Sequence, residues 1–129
     1  MFEYRDNPAL ENRQLNDLFA ASWVGHEERD FRPVLERGLA YVAVFEADRL
    51  IGFVNVASDG AQHAFLLDVT VHPDFQGRGI GTQLVRRAVD LARRAGAAWL
   101  HVDFEEQLSR FYLDSCGFRT TAAGLMRLV

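Results

Sequence analysis

Cysteine occurs once in the 129 residues, at Cys116. One thiol excludes an intramolecular disulfide, no Cys/His spacing suits zinc, and a reducing, cytoplasmic setting is expected. Long apolar runs are missing too: nothing approaches the roughly 20 residues that span a bilayer. The start, Met1-Phe2-Glu3-Tyr4-Arg5-Asp6, has no apolar signal core. A soluble intracellular protein without a membrane partner is expected. Positive charge is not in excess either. The formal net charge is −4, which counts against a nucleic-acid partner, because phosphate-gripping proteins carry a basic surface. The one basic cluster, Arg86, Arg87, Arg93 and Arg94, reads as a solvated helix face. Repeats, low-complexity stretches and linkers are also absent, and the length suits one domain over 1–129.

What is present is an alternation of strand-like and helix-like segments, the mark of a mixed α/β domain. Phe2 to Arg5 reads as a short strand. Leu15, Leu18, Phe19, Ser22 and Trp23 mark the buried stripe of a helix. A second short helix follows Asp30 as N-cap, with Pro33 in its first turn and Val34 and Leu35 inward. Tyr41–Phe45 and Leu50–Val56 form a hairpin across Glu46-Ala47-Asp48-Arg49, and His63–His72 is a third strand, closed by Pro73. A long helix runs from about Gly79 to Ala95, with Ile80, Leu84, Ala88, Leu91, Ala92 and Ala95 inward and Gly96 as its stop. Trp99–Phe104 is a further strand. Glu106–Cys116 is a further helix with Leu108, Phe111 and Tyr112 inward, and Phe118–Val129 is expected to give two last strands.

The informative stretch runs from Val69 to Thr82, where a strand feeds Gln76-Gly77-Arg78-Gly79-Ile80-Gly81-Thr82 at the entrance of the long helix. Such a loop presents several backbone N–H groups to one point, and the helix N-terminus adds about half a positive charge. Together they suit a phosphate or pyrophosphate. Two common phosphate loops fail. A P-loop requires a lysine and a Ser or Thr after its last glycine, whereas Thr82 and Gln83 follow Gly81. A dinucleotide fingerprint, G-x-G-x-x-G, would put its third glycine on Thr82 or on Leu84. Glycines after a strand can also serve only as a tight turn, but three alternating ones at a helix entrance ask for more.

The pattern that fits is Gln/Arg-x-x-Gly-x-Gly/Ala, met by Gln76, Gly79 and Gly81. With the preceding Val-His-Pro-Asp-Phe and the later Phe111-Tyr112-Leu113-Asp114-Ser115-Cys116-Gly117-Phe118, it resembles the GNAT acetyltransferase superfamily. The resemblance covers essentially the whole chain. It implies an α/β (α+β) fold with a splayed, mostly antiparallel sheet flanked by helices. It also implies an acyl-CoA-dependent N-acyltransferase using acetyl-CoA, the acceptor being a small-molecule or peptide amine that attacks directly in a ternary complex. Small members of this fold often dimerise, so a homodimer is compatible with the resemblance.

By the same resemblance, the amides of Gln76, Gly77, Arg78, Gly79, Ile80, Gly81 and Thr82 hold the pyrophosphate. The strand Val69-Thr70-Val71 pairs with the pantetheine arm through the backbone of Val69 and Val71, a form of β-augmentation. Acyl transfer from a thioester to an amine requires loss of an amine proton, support for the oxyanion and a proton for the thiolate. Tyr112 matches the family tyrosine that supplies the last of these. It is equally readable as a core aromatic. For the base, Asp68 and His63 are candidates, with His101 and Asp103 on the neighbouring strand. Asp68 stands inside the apolar run Phe65-Leu66-Leu67-Asp68-Val69, where a carboxylate must be bonded, paired or cavity-facing. The acceptor is expected near the first two helices, at Trp23, Glu27 and Asp103. Where many relatives carry an Asn seven residues before the tyrosine, this chain has Glu105. The competing readings are a non-catalytic acyl-CoA sensor on the same fold and, less well supported, a nucleotide- or NAD-binding protein.

Overall fold

The computed structural model describes residues 1–129. Five strands form one sheet in the order β1 (Phe2–Asp6), β2 (Ala40–Glu46), β3 (Arg49–Ser58), β4 (His63–Val71) and β5 (Trp99–His101). The first four are antiparallel neighbours, β2 to β4 through short turns and β1 to β2 through the segment that carries two helices, and β5 joins β4 in parallel after a helical crossover. Three helices complete the frame: α1 (Asn12–Ser22), α2 (Arg32–Arg37) and α3 (Ile80–Arg94).

Alternation along the strands divides the core in two. Val42, Val44, Val54, Val56 and Leu66 face α3, whose Ile80, Leu84, Val85, Ala88 and Ala92 are buried against them. On the opposite face Ala43, Phe45 and Phe53 pack on Leu15, Leu18 and Phe19 of α1 and on Phe31. Glycine at position 52 is what lets α3 approach. A Cβ there would stand 2.5 Å from Val44 Cγ1 and 3.1 Å from Leu84 Cδ1.

Several expectations shift. Trp23 is not part of α1's buried stripe: it follows the helix and is 44% exposed. The second helix starts after Phe31 instead of Asp30, whose carboxylate nevertheless accepts the Arg32 amide. Val34 and Leu35 are only half-buried. In α3 Val85 is buried, whereas Ala95, at the helix end, is exposed. The strand expected over Trp99–Phe104 keeps three paired residues, because the chain leaves β4 after His101. The expected helix Glu106–Cys116 is a 3₁₀ turn, Glu106–Leu108, followed by a π-helical segment, Arg110–Ser115. That change of pitch breaks the 3.6-residue spacing, and Leu108 points outward at 41% exposure. The last two strands do not form. β5 offers only a three-residue edge to pair with, and Arg119–Val129 is exposed without regular structure.

Candidate active site

The parallel pairing of β4 with β5 covers His63↔Trp99, Ala64↔Leu100 and Phe65↔His101 and then stops. From Leu66 onward the β5-facing edge of β4 has no strand beside it. Within this bare stretch β4 is bulged: Phe53 faces Thr70 and Asn55 faces Leu67, so Asp68 and Val69 together oppose Val54. Asp68 takes φ +56°, a left-handed conformation that Asp tolerates better than most residues. A bulge re-aims the side chain at its centre, and that side chain is the carboxylate of Asp68.

Beyond β4, His72 and the turn Pro73–Phe75 lead into the glycine loop. Gly77 and Gly79 have φ of 77° and 80°, and a Cβ at either would meet nothing within 4 Å. The loop is therefore open where side chains would stand at these two positions. No backbone amide from Gln76 to Thr82 donates to a protein acceptor. A run of unpaired amides beside a helix N-terminus is suited to hold an anion.

The side chains of this stretch do different things. Ile80 is a core residue, 2% exposed. Gly81 is small for packing: a Cβ would lie 3.1 Å from the Phe111 ring. Arg78 sits over Phe75, 5.3 Å from its centroid. Gln76 donates from Nε2 to the Val71 carbonyl at 3.1 Å, so that acceptor is already engaged. Thr82 is half-buried in the first turn of α3 and Val69 packs beside the α3-side core.

Thr70 is 3% exposed and points to the α1 face. Its hydroxyl donates to the Asp68 carbonyl at 2.9 Å and accepts from Trp23 Nε1 at 3.0 Å. Trp23 is thereby fixed across the bulge. The loop after it is organised by Asn16, buried in α1, whose amide reaches the Arg29 backbone at both its N–H and its C=O. Asn16 Oδ1 can only accept, so His26 must carry its proton on Nε2, 2.9 Å away. Arg29, stacked on Phe31 at 4.6 Å, is near enough for its charge to act on Asp68. Asn16 and Arg29 escaped the sequence reading; the available signal was an asparagine inside an apolar helical stripe.

Close packing around Asp68 raises its pKa above the ordinary carboxylate value, and Arg29 offsets part of the rise. Its side chain keeps solvent contact, and it forms no ion pair. Tyr112, on the π-helical segment, is 6% exposed and stacked on Phe104 at 4.8 Å, with Phe111 edge-on at 4.8 Å. Burial, reinforced by Cys116 and Asp103, pushes its phenol up to about 12. Asn55 Oδ1 is the one sealed side-chain polar atom lacking a partner, so the Tyr112 oxygen is not sealed from solvent. Asp103 is exposed beside the gap and near enough to act on that phenol.

Two candidates fall elsewhere. His63 stands at the far end of β4, where the strands still pair, with Nδ1 2.8 Å from His101 Nε2. Five residues separate it from Asp68, roughly 16 Å of strand. Glu27 is exposed in the loop between α1 and α2, and nothing draws it towards the gap. No group of three or more His, Cys, Asp or Glu is arranged to hold a metal, and no helix is long and apolar enough to cross a membrane.

A parallel β4/β5 pair that separates beside an amide-lined loop is the layout of a known group of proteins. The model of the Acetyltransferase (GNAT) family matches residues 9–118, and the chain belongs to that family. An acetyltransferase of the GNAT family from Streptococcus pneumoniae superimposes with a TM-score of 0.85 at 22% identity, covering 100% of this chain and 98% of that one. An aminoglycoside N-acetyltransferase in complex with CoA does so with a TM-score of 0.77 at 19% identity, covering 98% and 93%. Serotonin N-acetyltransferase 2, chloroplastic, of Oryza sativa subsp. japonica is 30% identical over 113 residues, 84% of this chain and 56% of the relative. Against three relatives named N-acetyltransferase ycf52, the chain spans 56% to 69% of their length.

Proposed function

We propose that this chain transfers the acetyl group of acetyl-CoA directly to a primary amine bound beside it. The observation that carries the reading is the run of unpaired amides from Gln76 to Thr82, next to a strand edge that no strand pairs with. The amides would hold the pyrophosphate and the bare edge of β4 the pantetheine arm. Bound acetyl-CoA would supply an activated thioester, a C–N bond forming to the amine as the C–S bond breaks.

Two side chains then handle protons. The Asp68 carboxylate orients the ammonium and takes up its proton, directly or through water. Its raised pKa brings its basicity closer to that of the working solution. Tyr112 holds a proton on Oη for the leaving sulfur. With a pKa near 12 the phenol stays protonated at every physiological pH. His63 has no part in the step, because it lies with His101 at the closed end of the strand pair. A reducing, cytoplasmic setting belongs to the same reading, supported by the half-buried, unpaired Cys116.

The test is calorimetric titration with acetyl-CoA, with ATP and NAD as controls, followed by thiol release in the presence of amines. Selective 1:1 binding with release supports an enzyme. Binding without release to any amine would favour an acyl-CoA sensor. No binding by folded protein would leave the loop a structural turn and overturn the proposal.

A further inference from the structure

The α1 face of the sheet is covered unevenly. Helix α1 lies over β3 and reaches β4, where Trp23 covers Thr70, but Phe65 and Leu67 of β4 and Trp99 of β5 stay exposed. Strand alternation puts Phe65 and Leu67 on this face, since Ala64 and Leu66 are buried on the other side. Trp99 and His101 are their counterparts on β5. Phe65 is 40% exposed, Leu67 38% and Trp99 55%. His101 lies almost flat on Phe65, with centroids 4.6 Å apart and planes 19° off parallel. The result is a platform of ring faces and aliphatic surface that no element of the chain covers.

Carboxylates stand at both ends of it: Asp59 beside His63, whose amide donates to its Oδ1 at 3.1 Å, and two more where the strands part. The two strands run parallel and part after Phe65 and His101. Asp68, three residues on along one, and Asp103, two residues on along the other, therefore lie at the same end, flanking the gap. Val102 and Phe104 pack against the α3-side core, so the alternation that places Asp103 on the open face continues past β5. Neither carboxylate is held in an ion pair.

From this arrangement we infer that the acceptor is a monocationic primary amine carrying a flat aromatic body on a short chain. The inference rests on the acyltransferase reading above and narrows its substrate. The ammonium sits between Asp68 and Asp103, and the ring lies on Phe65 and Leu67, where stacking and apolar burial add to each other. A polyhydroxylated amine would find few hydrogen-bonding groups on this floor.

The experiment compares thiol release from acetyl-CoA with 2-phenylethylamine, n-butylamine, spermidine and an aminoglycoside, using wild type, Phe65→Ala and Leu67→Ala. The expected result is a kcat/KM at least tenfold higher for phenylethylamine than for butylamine. That ratio falls towards one in either variant, with the KM for acetyl-CoA reporting that the fold is kept. Equal or better use of butylamine, spermidine or the aminoglycoside by wild type would overturn the aromatic acceptor while leaving the acyltransferase intact. Acetyl-CoA binding without transfer to any amine would instead bring down the underlying reading.

Discussion

A carboxylate at φ +56° gives an unusually clean substitution. Asparagine is at ease in the left-handed region, so Asp68→Asn should keep the bulge and remove only the charge. We expect its kcat/KM for amines to fall by about 10²-fold, with acetyl-CoA affinity retained. Because burial raises Asp68, wild-type activity should drop as pH falls through a value above the ordinary carboxylate range. The asparagine variant should lose that limb. Tyr112→Phe should lower kcat by a similar factor. It has a second readout in stability. The folded phenol titrates near 12 against 10 for the free group. The contribution of this group is fully present below pH 10, and roughly 3 kcal/mol is lost as pH rises towards 12; denaturant titrations should find the alkaline loss smaller by about that amount in the phenylalanine variant, where Tyr4, Tyr41 and Cys116, also raised by burial, still titrate. At this scale the sequence made Tyr112 and Asp68 legible through type and context. It could not separate Gly79, whose left-handed backbone shapes the open loop, from Gly81, whose missing Cβ makes room for Phe111. Spacing is blind to what a missing side chain would have touched.

α3 was legible because its helical period matches what it buries, and β2 and β3 because they are β-branched and aromatic runs buried on both faces. The elements that failed depend on tertiary geometry. The fifth strand is cut to three residues by the parting of β4 and β5, and the tail is left without a strand to pair with. Likewise, the turn and π-helix that replace the expected Glu106–Cys116 helix serve to bring Tyr112 onto Phe104. Two substitutions probe this level. Gly52→Ala should destabilise by about 1–3 kcal/mol through overpacking of Val44 and Leu84, seen as a lower denaturation midpoint at unchanged slope. Gly79→Ala should cost about 1 kcal/mol of stability from its positive φ. In calorimetry it should weaken acetyl-CoA binding at least tenfold, because the strained loop can no longer aim its amides together.

On the scale of the whole molecule, the segment after residue 98 pairs with the sheet through only three rungs between β4 and β5 and is otherwise held by side-chain packing, with Tyr112 in the α3-side core and Val102, Phe104, Phe111 and Phe118 against it. Acetyl-CoA at a hundred times its dissociation constant should stabilise the protein by about 2.7 kcal/mol, read as a rise in melting temperature. The parting of the strands also has a dynamic consequence. The molecule divides into a tightly laddered part, β1 to β4 with α3, and a lightly hinged flap that carries Tyr112 and Asp103. In amide hydrogen exchange the flap should open at far lower cost than the ladder while the protein is alone. An extended ligand arm lying along the bare edge would replace missing rungs, so the flap's protection should rise with cofactor while the ladder's stays level. The co-substrate would then act as a removable sixth strand, steadying the segment that carries the proton donor.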